Sequence, residues 1–346
     1  MSKFISIAAA LLWMASSSAM ANDQIVEIEQ NGINNSAEQT QRGVMLRSFI
    51  QQNGTVNNAI IEQSGLGSEA GQASIEQTGS LNSAAIYQVT GSRPGMASAE
   101  IYQEGTSNTA TLEQHEYFGE LASTATFYQE GTGNRIAARQ TWVGNGLEVV
   151  SIGQDNVVET NQTGFSTAEV RQSGSSNILR LEQLSSGLGG GSAVIEQDGT
   201  ANQADVQQRS GRYPAADVLL RQTGVANIAQ IEARDGHSTL DYAQRGTGNR
   251  LDAYIAGHNS SLTGSSEGDY NTVITSQIGD DNSLAINQVG SYNEIEANQN
   301  FSAHEALISQ TGNSNQAVLM QAEGLVSHSA SIIQNGTGNV ASVLQQ

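Results

Sequence analysis

Apolar and polar residues alternate with a period of two along short stretches of this chain. Asn82, Ala84, Ile86 and Gln88 share one parity, while Ser83, Ala85 and Tyr87 share the other. Alternation of this kind predicts a strand with one face turned inward. Ala99, Ile101 and Gln103 behave in the same way, as do Val218, Leu220 and Gln222, and no segment carries sustained helical spacing.

The strands recur in a fixed frame. Asparagine returns fourteen times at one place in a unit: Asn35, Asn57, Asn82, Asn108, Asn134, Asn156, Asn177, Asn202, Asn227, Asn249, Asn271, Asn293, Asn315 and Asn339. A glycine stands three residues before each, as at Gly32, Gly54, Gly79, Gly105, Gly131 and Gly336. Gln lies five residues before the Asn in twelve copies, with Ser151 and Ser266 in the gaps, and includes Gln30, Gln52, Gln77 and Gln103. Another Gln lies six residues after it in twelve copies, including Gln63 and Gln88, with Ala233 and Ile255 in the gaps. The unit opens as Gln-x-Gly-x-x-Asn-x-small-x-aliphatic-x-Gln and returns through segments such as Gly71 to Gln77 (GQASIEQ). Spacings of 21 to 26 residues between the asparagines lie in the range of solenoids and arrays.

The expected fold is all-β: a stacked strand-turn-strand solenoid, cross-β and amyloid-like, of about fourteen rungs. Gly supplies the turns, because it alone takes positive φ without cost. Aliphatic side chains fill the interior, flanked by Asn and Gln. A buried carboxamide is costly unless paired, and an identical carboxamide one rung away can serve it from above and below. Extra residues concentrate in one connection, as in Val89 to Met96 and Arg209 to Ala215, which contain Pro94 and Pro214. Residues 24–30 and 334–345 look like complementary halves of a junction rung, through which one copy would continue another and build a filament.

Composition narrows the function. Lys3, an apolar run from Phe4 to Ala15, and Ala19-Met20-Ala21 read as a signal peptide over residues 1–21, with residues 22–346 as the repeat solenoid. The apolar run is short for a membrane span, and no transmembrane segment is expected in residues 22–346. Removing the signal peptide leaves thirteen arginines against 34 acidic residues, a balance that excludes nucleic acid as a partner. With no Cys, no disulfide framework is available to an exported chain. No catalytic motif is present, so neither enzymatic activity nor a cofactor is expected. His304 and His328 fall in one column of adjacent rungs, where they read as substitutes for a small structural residue. Glu62, Glu113, Glu182 and Glu232 share an outward column, as do Arg171, Glu196 and Arg221, the latter reading as an alternating-charge ladder.

Read at Gln77 to Gln88 (QTGSLNSAAIYQ) and Gln52 to Gln63 (QNGTVNNAIIEQ), the unit resembles the curlin repeat of curli subunits. The resemblance covers nearly all of residues 22–346. It implies a secreted structural subunit, of major or nucleator type, of a functional amyloid. Such a curli-like fimbrium would serve biofilm matrix and adhesion on the surface of a Gram-negative bacterium. The implied partners are further copies joined head to tail, other curli-type subunits or a nucleator, and a curli-type outer-membrane secretion pore. Two features depart from that pattern: the chain has fourteen repeats where the family has a handful, and residues 22–29 (NDQIVEIE) lack a Gly-rich leader. The rival reading is a monomeric secreted β-solenoid adhesin that holds polysaccharide or another surface through its loop edge.

Overall fold

The computed structural model describes residues 24–65, 71–90, 97–116, 121–185, 189–211, 215–234, 236–322 and 327–346. These residues form twenty-eight strands, numbered β1 to β28 in chain order, and no helix. Residues 1–21, read above as a signal peptide, and both prolines lie outside the described residues.

The first rung is β1 (Ile25–Ile33) followed by β2 (Ser36–Arg42), and the second is β3 (Leu46–Thr55) followed by β4 (Asn58–Gly65). The pattern continues to β27 (Ser329–Thr337) and β28 (Val340–Gln345). Odd strands make one fourteen-stranded sheet in strict chain order, and even strands make the other. All pairing is parallel and in register by repeat position: Gln52 stands on Gln30, Gly54 on Gly32, and Ala84 on Ala59. The result is the expected β-solenoid, fourteen two-stranded rungs in a slab roughly 65 Å tall at the usual inter-strand spacing.

Parity decides what is buried. In β5 (Gly71–Ser80) and β6 (Ser83–Thr90), Ala73, Ile75 and Gln77 face Ala84, Ile86 and Gln88 across the interior, all less than 5 % exposed. The intervening residues face solvent. Two inward columns per sheet, one mostly of Ala with Leu, Ile and Val and one mostly of Ile, Leu and Val interrupted at Phe127, Tyr242 and a few small residues, run the length of the slab as a single apolar core. Each buried Ile contributes roughly 1.5–3 kcal/mol by leaving water. Because the strands are parallel and in register, each core side chain packs on the equivalent position of the next rung, as Ile86 does between Ile61 and Leu112.

One expectation fails. Residues 24–30 and 334–345 are not halves of a shared rung: β1 is completed by β2, and β28 by β27. The Gln-to-Gln segment counted as one strand in fact contains a turn, since the odd strands run on through the Gly and end one residue beyond it. The rung boundary is the variable connection that leads into each odd strand, so both outermost rungs are whole.

Inward and outward positions should therefore respond differently to charge. Ile86→Asp buries a carboxylate between two aliphatic side chains, and a loss of at least about 4 kcal/mol is expected. Ala85→Asp, whose neighbours in the outward column are Ile60 and Thr111, should stay within about 0.5 kcal/mol of wild type. Denaturant unfolding of the two variants makes the comparison.

Candidate functional site

The repeated residues converge on two carboxamide ladders and one glycine column. In the odd sheet, Gln30 Nε2 donates to Gln52 Oε1 at 2.6 Å, Gln52 to Gln77 at 2.8 Å, Gln77 to Gln103 at 2.7 Å and Gln103 to Gln129 at 2.7 Å. From Gln52 on, the second hydrogen of each of these amides goes across the core to the even sheet, as from Gln77 to Asn58 O. In the even sheet, Gln41, Gln63, Gln88, Gln114 and Gln140 form the matching chain. The Gln side chains thus stitch rung to rung and sheet to sheet together. Every bond in these chains points from the lower rung to the upper.

The Asn residues close the turn between the two strands of a rung. Asn82 Nδ2 donates to Thr78 O in its own turn and to Gly105 O in the turn above, while its Oδ1 accepts the Asn108 amide at 3.0 Å. The same pattern runs from Asn35 through Asn57, Asn108, Asn134, Asn156, Asn177, Asn202, Asn227, Asn249, Asn271, Asn293 and Asn315 to Asn339. The Asn side chains below the last rung thus donate to a carbonyl of the turn above and accept an amide from it, the other donor going to their own turn or to the Asn below.

Glycine is required here for two reasons at once. Gly79 has φ of 115°, and a Cβ built on it would lie 2.0 Å from Gly105 O. Gly32, Gly54, Gly105 and Gly131 have the same close approach to the next turn. Gly336, in the last rung, would meet only Asn339 Nδ2, at 3.5 Å.

Sequence reasoning missed two features of the turns. The residue before each ladder Asn is left-handed even where it is bulky, with φ of 58° at Val56, 59° at Leu81 and 54° at Tyr270. Nothing in composition marks this position, because the Asn bonds hold it. A second, shorter ladder lies on the opposite edge, where Ser123, Asn145 and Ser166 form one run and Ser238, Ser260, Asn282, His304 and His328 another. Gly279-Asp-Asp-Asn282 repeats the Gly-x-x-Asn spacing and was the available signal.

His304 belongs to this second ladder. Its amide donates to Asn282 Oδ1, its Nδ1 accepts the His328 amide at 3.2 Å, and its Nε2 donates to Asn300 O at 2.7 Å. These match three of the four bonds a ladder Asn makes, lacking only the donation to the turn above, and they assign the proton to Nε2. The two imidazoles stack with centroids 5.1 Å apart. Among the described residues no group of three or more His, Cys, Asp or Glu could hold a metal ion.

The outer faces carry ion pairs. Of the acidic column, Glu113 pairs with Arg139 at 3.8 Å, Glu182 with Arg209 at 3.7 Å and Glu232 with Arg234 at 2.7 Å. The alternating-charge ladder is half formed: Arg221 reaches Glu196 at 3.7 Å, but Arg171 turns to Glu169 and Glu148. Arg171 meets Glu169 at 2.7 Å, and that contact outcompetes the more distant Glu196. A groove of about 360 Å³ on the even sheet contains Asp205, Glu232 and Asp252. Glu232 and Asp252 are each paired with an Arg at 2.7 Å, which leaves them as bridges rather than as bases.

Two sets of variants test the turns. Asn82→Ala leaves the buried Asn108 amide without an acceptor and Gly105 O without a donor, at about 1–3 kcal/mol for each buried group. Asn82→Ser should recover part of this, because Ser260 both accepts the Asn282 amide and donates to Gly279 O in the second ladder. Asn82→Asp should be worst, since it faces two carbonyls with a charge. Chemical denaturation should rank them wild type, Ser, Ala, Asp. By the same measurement His304→Asn should lie within about 0.5 kcal/mol of wild type, while His304→Ala should lose about 1–2 kcal/mol.

A scan against models of known protein families finds no match, and a search of curated proteins finds none either.

Proposed function

We propose that this chain is a secreted structural subunit that stacks head to tail into curli-like extracellular amyloid fibres for biofilm matrix and adhesion. The observation that carries the reading is the complementarity of the two outermost rungs. Gln41 Oε1, at the bottom of the even-sheet ladder, is buried and has no hydrogen-bond partner among the described residues. Gln345, at the top of that ladder, donates to Ser329 O but has no further Gln above it. Among the described residues Asn339 Oδ1 likewise accepts no Asn amide, and the Asn35 amide meets no Asn Oδ1. A second copy placed on β27 and β28 with its own β1 and β2 supplies each missing partner.

The surfaces to be covered are apolar as well. Inward-facing Val26 is about half exposed, Ile28 and Ala37 in the same outer rung are only partly buried, and so are Ala330, Ala341 and Val343 at the other end of the core. Unpaired strand edges recruit further strands, and this contact repeats without closing. In this reading the chain leaves the cell through a curli-type outer-membrane pore and joins copies of itself, other curli-type subunits or a nucleator.

Residues 22–346, diluted from denaturant, should form unbranched fibres with a reflection near about 4.7–4.8 Å. Gly336→Ala isolates the join. Its Cβ has room in the single chain, with only the strain of φ 115°, but would strike Gly32 O of a copy stacked above, as each internal glycine would strike the next. This variant should terminate growth of wild-type seeds at substoichiometric amounts. Gly338→Ala is the control, since nothing lies within 4 Å and Ala201 and Ala226 occupy its place in other rungs. Equal elongation by wild type and both variants would sink stacking through these edges and favour the monomeric adhesin.

A further inference from the structure

The odd-sheet Gln ladder is broken twice, and the chain treats the two breaks differently. At Ser266 the break is bridged from below: the Tyr242 hydroxyl lies 2.8 Å from Ser266 Oγ, which donates to Gln288 Oε1 at 2.8 Å. Tyr242 is wholly buried, and burial pushes its phenol far above the usual range, so the hydroxyl keeps its proton. Gly264, in register above Tyr242, makes room for the ring.

Five rungs earlier the same inner positions change together. Phe127 stands where Tyr242 does, Ala138 where Ala253 does, Ser151 where Ser266 does, and Thr160 where Thr275 does. Phe127 brings a ring without a hydroxyl. Ser151 Oγ and Gln172 Oε1, the next position in the column, are both buried with no hydrogen-bond partner among the described residues, as is Thr160 Oγ1. Gln129, below Ser151, donates only to Thr109 O, although an intact rung would give its second hydrogen a Gln Oε1 above. One donor amide, one hydroxyl and one acceptor carbonyl therefore meet in a single column without bonds to each other.

We propose that this break is a binding site for one water molecule, held between Gln129 Nε2, Ser151 Oγ and Gln172 Oε1. The water accepts from Gln129, exchanges a hydrogen bond with Ser151 and donates to Gln172, doing there what the Tyr242 hydroxyl does at the other break. Three partners are the usual complement of a buried water, and leaving buried polar groups unpaired costs more than immobilising one. Ser is three heavy atoms shorter than the Gln it replaces, and Phe127 lacks the hydroxyl that Tyr242 places in the equivalent gap, so the proposed water would stand in for that one oxygen. The site is internal to one chain and independent of assembly.

The decisive test is the sign of a small substitution. Removing an unpaired buried hydroxyl is neutral or stabilising, whereas removing one that holds a water breaks a bridge. Ser151→Ala should lower the folding equilibrium constant roughly five-fold in denaturant titration of the full chain. Water-to-protein NMR transfer should show a long-lived water beside the Gln172 side-chain amide in wild type. Ser151→Gln, which restores the ladder from Gln129 to Gln172, should abolish that signal. Absence of the signal in wild type, its persistence in Ser151→Gln, or a Ser151→Ala chain as stable as wild type would each overturn the site.

Discussion

The structure depends on one interaction, a buried primary amide served by the same amide one rung away. Carboxamides are poor core residues, since each brings two donors and two acceptor lone pairs into a space without water. Here the next rung supplies the partner at 2.6–2.9 Å along most of both Gln ladders. That condition admits only a parallel arrangement with every repeat position over its equivalent. A slip of one residue would turn Asn and Gln outward and their exposed neighbours inward. The ladders thus specify register more sharply than the apolar columns do, because Ile packs tolerably on Leu or Val whereas an amide without its twin is left unbonded.

Much of this was legible because chemistry recurred at fixed spacing. The parity of Asn82, Ala84, Ile86 and Gln88 predicts the inward face, and the Gly before each Asn predicts the turn. Spacing could not reveal where a rung begins, because a Gln-to-Gln segment keeps its parity across the Gly while the chain reverses direction. The left-handed residues Val56, Leu81 and Tyr270 were invisible for another reason: their conformation is imposed by neighbouring Asn side chains rather than by their own preference. The second ladder was hidden because Ser, Asn and His take turns in it, and only hydrogen bonding makes them equivalent. The pairing of Arg171 with Glu169 rather than Glu196 is a matter of local reach, which column membership does not decide.

Acidic excess and polar core meet without conflict because the pleat separates them. Carboxylates stand on the outer faces, several with an Arg from their own or a neighbouring rung, and exposed pairs of this kind are worth only about 0.2–1 kcal/mol each. Their arrangement varies from rung to rung, while the inner columns hardly change. Rungs that depart inside, at Phe127 with Ser151 and at Tyr242 with Ser266, do so through coordinated changes in adjacent rungs, so that an enlarged ring is met by a shortened neighbour.

The whole-rung boundary at the variable connection has a consequence for how such a chain can change in length. Each rung presents on top what every other rung accepts underneath, so the unit of gain or loss is one complete turn of the coil. Removing a single strand residue inverts the pleat as far as the next turn or connection and unpairs the ladder positions of that strand. Excising the stretch between two connections rejoins surfaces that already match. Size in this architecture is therefore counted in whole steps, each compatible with the last, and is bounded by nothing in the geometry of the step itself.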